Sequence, residues 1–223
     1  MSFDYDTILT VLSLRKVGRY NKIEVIFDRF EPFIFSLDVV NKFKLKKGFQ
    51  ITIRDLFDMV LFQMVYDAKQ EALRLIARRP HSEQEIRKKL AKKNIEENVI
   101  DLVIDFLIEN KYIDDFSYFT DYAQWLIERR FFGRSRVEQE LLKRGADKKM
   151  LNNICDNLFK EQEKQELEFA KKLLGKRTAT INRKAPEKRK DYIYNMLSRY
   201  GISSKVIRQI LEKYNFPDVD ETF

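Results

Sequence analysis

Asp114 and Asp115 are adjacent carboxylates in the stretch Tyr112-Ile113-Asp114-Asp115, and such a pair could hold a divalent cation or share a proton in acid–base chemistry. Asp115 fits better as the cap of a helix opening with Ser117-Tyr118-Phe119. His81, the sole histidine, lies between Pro80 and Ser82 with no Cys or His at ligand spacing. Cys155, the sole cysteine, falls in an aliphatic run and reads as a small core residue. No glycine-rich phosphate loop is present. These residues imply no catalytic centre, no metal and no cofactor. A metal-dependent nuclease built on Asp114-Asp115 ranks last among the functions the sequence allows.

Binding chemistry is better supplied. Residues 171–190, KKLLGKRTATINRKAPEKRK, hold nine Lys or Arg and one Glu, a net +8 that equals the excess of the whole 223-residue chain. So many like charges repel one another unless an anion arrives. Partner contact through Arg183, Lys184, Lys188, Arg189 and Lys190 is therefore favoured over a solvated loop. Basic pairs recur at Arg78-Arg79, Arg129-Arg130 and Lys176-Arg177. At helix ends, such pairs either complement the helix dipole or line an edge that meets phosphates, and the two readings stand level. Lys92, Lys143 and Arg199, just before the next helix terminus, fit the dipole. Arg134 and Arg136 flank Ser135 at a helix start, where a cation gains nothing from the dipole, so a partner is the better reading. Arg87, Lys88 and Arg144 complete the cationic candidates.

An internal repeat must position these charges. ALRLIARR (72–79), AQWLIERR (123–130) and AKKLLGKR (170–177) share one pattern, and LAKKNIEENVI (90–100), LLKRGADKKML (141–151) and LSRYGISSKVI (197–207) share another. The first two repeats are offset by 51 residues in both blocks, whereas the third carries nine extra residues between its blocks, inside the basic stretch. Each repeat reads as three helices. The second ends near Asn94, Gly145 or Gly201, where a left-handed closing residue is favoured. The third carries a buried stripe such as Val99-Ile100-Val103. Trp125 occupies a slot held by Arg74 and Lys172 in the sister repeats, so it either faces solvent as a partner anchor or is buried against a neighbouring repeat.

Before the repeats, Thr7–Val17, Lys22–Asp28 and Phe33–Phe35 read as strands, with Gly18-Arg19-Tyr20-Asn21 as a hairpin loop whose Tyr20 could stack on a base. Ser36 is placed to cap a short helix with Leu37, Val40 and Phe43–Leu45 on its apolar side, and Thr52 with Asp55 to cap a longer one. The fold class expected is mainly α: tandem three-helix repeats forming an elongated, curved rod, with a small β-containing N-terminal region. The expected divisions are 1–51, a connecting helix 52–66, and repeats at 67–115, 116–162 and 163–223. Apolar content of 44% beside 35% charged residues suits a folded protein. The short apolar runs, acidic N-terminus and single cysteine predict a cytoplasmic protein with no membrane span.

The stretches RLIARRPHSEQEIRKKLAKKNI (74–95), LIENKYIDDFSYFTDY (107–122) and RRFFGRSRVEQELLKRGADKKML (129–151) resemble the RecX family, regulators of the bacterial recombinase RecA. GRYNKIEVIF and FIFSLDVVNKFKLKKG are similar to the N-terminal region of longer members. The resemblance is strongest from 67 to 159 and departs at the nine-residue insertion. It implies a helical, non-enzymatic protein that binds the groove of the RecA–DNA filament and restrains filament growth, ATP hydrolysis and strand exchange in recombination and DNA repair. Single- and double-stranded DNA are implied as secondary partners, and a monomer is expected. The rival reading is a sequence-independent DNA-binding protein acting through its basic edge.

Overall fold

The computed structural model describes residues 4–18 and 21–213. Arg19 and Tyr20 of the predicted hairpin loop lie outside the described residues. The chain divides into two compact units: one runs to Arg79 and includes Ile86–Tyr112, and the other comprises Pro80–Glu85 and the chain from Ile113.

The first unit opens with a four-stranded antiparallel sheet in the order β3-β2-β1-β4. Its strands are β1 (Ile8–Val17), β2 (Lys22–Phe27), β3 (Phe33–Ser36) and β4 (Gln50–Thr52). Alternation sends Leu9 and Val11 of β1 inward with Val25 and Phe27 of β2, while Ile8 and Leu12 face out. The three predicted strands are present; β4, three residues long, carries too little pattern to be read from sequence. Helix α1 (Leu37–Lys42) starts where Ser36 caps it, and buries Val39 and Val40. Leu37, expected on its apolar side, is exposed, and the helix stops before Phe43.

Thr52 and Asp55 form a reciprocal capping box at the start of α2 (Ile53–Arg78). This single helix of 26 residues, about 39 Å long, joins the predicted connecting segment to the first helix of repeat one. Its first turns, Leu56 and Met59, complete the sheet core, and Ala68 and Ala72 let α4 (Glu97–Glu109) pack closely on its later turns. Ile86 and Leu90 of α3 (Glu83–Ala91) are fully buried, as are Val99, Ile100 and Val103 of α4.

The second unit contains α5 (Asp115–Trp125), a π turn (Leu126–Arg130), α6 (Arg134–Arg144), α7 (Lys148–Leu158), α8 (Gln162–Asn182), α9 (Pro186–Arg199) and α10 (Ser204–Lys213). Repeats two and three share one continuous core. Phe119, Val137, Leu141 and Ile154 lie in the same cluster as Ala170, Ile193, Leu197 and Ile207. The predicted closing residues are left-handed, with φ of 58° at Asn94, 101° at Gly145 and 80° at Gly201. Repeat three departs from expectation in one respect. Lys176-Arg177 do not end a helix: α8 continues to Asn182, and Pro186 then opens α9. The insertion is helix rather than loop. It lengthens α8 to 21 residues and α9 to 14, against 11 in α6.

Equivalent positions make the same repeat-to-repeat contact in this unit. The Ser82 hydroxyl donates to the Arg144 carbonyl (3.0 Å), and the Gly133 N–H donates to the Tyr200 carbonyl (2.8 Å). In each case the start of one repeat's second helix seats beside the glycine that ends the next repeat's second helix. A Cβ on Gly201 would stand 2.5 Å from the Arg136 backbone nitrogen, and one on Gly145 would stand 2.7 Å from the Gln84 Cβ. Asn94 is exposed. Its position therefore demands the left-handed conformation without the close approach.

Asp114, not Asp115, caps α5, accepting from the Ser117 N–H (3.0 Å). Asp115 instead accepts from the Glu83 N–H (2.8 Å) and so caps α3, a helix 32 residues earlier. Burial, reinforced by the charges of Glu83, Asp114 and Glu85, pushes the Asp115 carboxyl above its ordinary value despite that hydrogen bond.

Gly201→Ala should lower unfolding free energy by about 2–4 kcal/mol, combining left-handed strain with a backbone clash. Gly145→Ala should cost a similar amount, because the Gln84 Cβ is fixed by its own backbone and cannot move aside. Asn94→Gly should stay within about 0.5 kcal/mol. Urea midpoints measure all three. Asp115 is penalised while ionised in the fold, and that penalty is relieved as pH falls through its raised folded value. The native chain should therefore gain stability relative to Asp115→Asn as pH is lowered from about 7 to about 4, and parallel curves for the two proteins would contradict the shift.

Candidate functional site

Six of the predicted cations are engaged inside the protein. On α6, Arg134 binds Glu138 (2.8 Å) and also Asp156 of α7 (2.7 Å), and Arg136 binds Glu140 (2.9 Å) with its guanidinium over the Phe132 ring. Both Glu partners stand four residues on, a helix pairing that spacing alone could have revealed. Lys143 shares Glu140, and Arg144 donates to Glu85 (2.6 Å) and the Tyr118 hydroxyl (2.9 Å). In the first unit, Arg87 bridges Glu97 and Asp101. Arg189 is only 5% exposed and donates to the carbonyls of Asn182 and Lys184, satisfying the end of α8. These side chains hold helices in place, and the partner reading of Arg134 and Arg136 loses its electrostatic motive.

Other cations are left facing solvent. Arg129 and Arg130 are exposed on the π turn, and Lys172, Lys176 and Arg177 on α8. Among the described residues, none of these five forms an ion pair with a carboxylate. The π turn ends at Phe131, whose φ of 56° is left-handed, a strained setting for a bulky residue. The Phe131 ring packs on Phe169 and lies beneath the ammonium groups of Lys176 (4.5 Å) and Lys172 (5.4 Å). One aromatic ring thus gathers two lysines of repeat three beside the basic pair of repeat two. Lys172 and Phe131 were not singled out from sequence, because a backbone turn with no local signal brings them together.

Trp125 is 44% exposed and stacks on Tyr122, which stacks on Tyr118. The three aromatics follow one helix face at 118, 122 and 125. Arg130 covers one end of this ladder, 5.4 Å from the Trp125 ring, and Arg144 lies 4.2 Å over Tyr122. The solvent-facing reading of Trp125 is the one observed. Burial, with Glu85 beside it, pushes the Tyr118 phenol up. Burial likewise pushes the Cys155 thiol up to about 11, which leaves it without nucleophilic character at neutral pH.

The remaining candidates are dispersed. Lys184 lies 5.5 Å over Tyr192, Arg183 donates to the Ala179 carbonyl, and Lys188 and Lys190 are exposed on α9. Arg78 and Arg79 are exposed at the end of α2 in the first unit, as is Lys88 on α3. Among the described residues, no group of three His, Cys, Asp or Glu could hold a metal ion, and no helix is long and apolar enough to cross a membrane. Uncompensated cations beside flat aromatic faces suit a polyanion, whether nucleic-acid phosphate or an acidic protein surface.

Residues 68–107 match the family model described as RecX, first three-helix domain. Regulatory protein RecX of Clostridium beijerinckii is 26% identical over 215 residues, covering 96% of this chain and 98% of the relative. That of Clostridioides difficile is 28% identical over 194 residues, covering 86% and 89%. A crystal structure of regulatory protein RecX shares the fold with a TM-score of 0.72 at 20% identity, over 92% of this chain and 100% of the other. RecX from Lactobacillus salivarius matches 67% of this chain and 96% of its own at a TM-score of 0.54 and 21% identity. These matches are to proteins named regulatory protein RecX, and the likeness to the solved structures shows a shared fold.

Neighbouring cations of the basic stretch should differ sharply in their effect on stability. Arg189→Ala, which removes a buried guanidinium and strips the Asn182 and Lys184 carbonyls of their donor, should cost about 2 kcal/mol. Arg177→Ala and Lys188→Ala should each stay within about 0.5 kcal/mol. Denaturant titration checks this, and equal effects at all three positions would refute the capping role of Arg189.

Proposed function

We propose that this chain regulates the RecA recombinase, as an inhibitor, by seating along the groove of the RecA–DNA filament and limiting filament growth, ATP hydrolysis and strand exchange. The similarity to proteins named regulatory protein RecX across nearly the whole chain carries this reading. The cluster of Arg129, Arg130, Lys172 and Lys176 supports it further. Such charges meet an acidic protein surface or a phosphate backbone without breaking internal pairs. A repeated helical binder also suits a helical polymer, because each weak contact reinforces the next. The protein acts by binding, without catalysis, as a cytoplasmic monomer.

The exposed Trp125 and its covering Arg130 favour a second reading, sequence-independent DNA binding, in which the aromatic face stacks on bases. On that reading, affinity for single strands falls with salt at a log–log slope of about −0.7 per phosphate neutralised.

The deciding measurement is the ATP hydrolysis rate of preformed RecA filaments on saturating single-stranded DNA, titrated with this protein, with excess free DNA in a parallel series. Inhibition below one protein per RecA that survives the added DNA is expected. Inhibition that disappears with added DNA would mean competition for the strand instead. Joint reversal of Arg129, Arg130, Lys172 and Lys176 to Glu should weaken inhibition about tenfold or more, a loss of at least about 1.4 kcal/mol, while the circular dichroism spectrum stays unchanged.

A further inference from the structure

Residues 39–54, VVNKFKLKKGFQITIR, hold five Lys or Arg and no carboxylate. Lys42 ends α1, and Lys44, Lys46 and Lys47 stand exposed on the loop that leads to β4. The Lys42 ammonium lies 3.8 Å from the centre of the Phe62 ring on α2. Lys69, seven residues further along α2 and so on the same face as Phe62, lies 3.9 Å over the Phe106 ring of α4. Two turns of helix, about 10 Å, separate Phe62 from Lys69. All these groups belong to the first unit.

Among the described residues, no carboxylate forms an ion pair with Lys42, Lys44, Lys46, Lys47 or Lys69. Asp38, four residues before Lys42 on α1 and so spaced to pair with it, stands beside the Tyr66 hydroxyl instead and pushes that phenol up. Glu109 acts on Lys69 from beyond ion-pair distance. Burial, and then the charge of Lys42, push the Lys69 ammonium below its ordinary value. Half-buried Lys69 thus faces a second cation rather than an acid, and an anion from outside relieves the repulsion. Lysines are point charges without the fork by which Arg grips a carboxylate, which favours phosphate over an acidic side chain. A nucleic-acid strand carries one charge per roughly 3.4 Å, so about three successive phosphates span the two turns of α2. The Phe62 and Phe106 faces beneath the ammoniums are already covered, which leaves no ring here for a base to stack on.

We propose that Lys42 and Lys69, with the loop lysines that follow Lys42, form a site on the first unit for the backbone of a nucleic-acid strand, holding successive phosphates without reading bases. Arg129, Arg130, Lys172, Lys176 and Trp125 all belong to the second unit and take no part in it. The site depends neither on the RecA reading nor on stacking at Trp125, because it is tested without RecA and in a chain whose second-unit cations are reversed.

The test is fluorescence anisotropy of a labelled thymidylate strand of about 20 nucleotides, long enough to fill one site, titrated with the full chain. Lys42→Gln with Lys69→Gln should weaken binding about tenfold at low salt and lower the log–log salt slope by about 1.4, the share of two phosphates. The same loss is expected when Arg129, Arg130, Lys172 and Lys176 are also reversed to Glu, so this site and the second-unit surface stand or fall separately. Lys42→Arg with Lys69→Arg keeps the charge and should keep the binding. Lys148→Gln with Lys149→Gln, two exposed cations of the second unit, should leave the slope unchanged. In the unaltered chain, the Lys69 Cε signal should titrate at higher pH once the strand is bound, because a neighbouring phosphate favours the ammonium. An unmoved Lys69 titration would overturn the proposal, as would a salt slope untouched by the first glutamine pair. An equal loss with the Lys148 and Lys149 pair would reduce the site to attraction by net charge. Displacement of the strand by polyglutamate at equal charge concentration would assign it to an acidic protein surface instead.

Discussion

The close approach at Gly201 is the constraint on which the second unit depends. The Gly133 N–H reaches the Tyr200 carbonyl only because two glycines face each other, and a Cβ on Gly133 would collide with the Gly201 carbonyl. That contact sets the start of α6 against the end of α9 and brings the hydrophobic faces of repeats two and three into one core. The Ser135 hydroxyl adds a bond to the Gly201 carbonyl (3.2 Å). At the corresponding place one repeat earlier, Ser82 reaches the Arg144 carbonyl with its side chain, which bridges a longer gap than a backbone amide can. The repeat pattern therefore conserves a geometric relation while the atoms that satisfy it change.

Two carboxylate contacts, one half-buried and one fully buried, complete the framework by capping helices from elsewhere in the chain. Asp115 caps α3, and Glu166, fully buried, accepts from the Ser203 N–H (2.8 Å) at the start of α10 and from the Gln162 amide. A buried carboxylate needs such donors, because an unpaired charge in a low-dielectric core is expensive. The helix N-termini supply them and in return receive acceptors for amides that no intrahelical carbonyl can meet. Arg189 does the reverse at the end of α8. These long-range caps explain why a short repeat with few glycines and prolines can hold its helices in register.

The same framework divides the positive charge into two populations. Arg134, Arg136, Arg144 and Arg189 face acids or carbonyls fixed by helix geometry and are consumed internally. Arg129 and Arg130 instead stand exposed on the π turn, which ends where Phe131 turns left-handed. Phe131 then draws Lys172 and Lys176 toward the same surface. Net charge alone does not predict a binding surface; what counts is which cations the fold leaves without a carboxylate.

Much of this was legible in one dimension. Hydrophobic periodicity placed the Val99-Ile100-Val103 stripe in the core, and the repeat spacing placed Asn94, Gly145 and Gly201 at left-handed helix ends. Those features are local, set by side-chain spacing and by the φ values each residue tolerates. The Thr52–Asp55 box and the Ser36 cap were legible for the same reason. The basic stretch was not, because composition cannot distinguish a loop from the end of a long helix when the apolar positions are sparse. Nor could sequence assign Asp115 to α3, bury Arg189, or set Lys176 over Phe131. Each of those depends on a partner distant in sequence or on a backbone turn with no composition of its own, and only the packed chain brings such groups together.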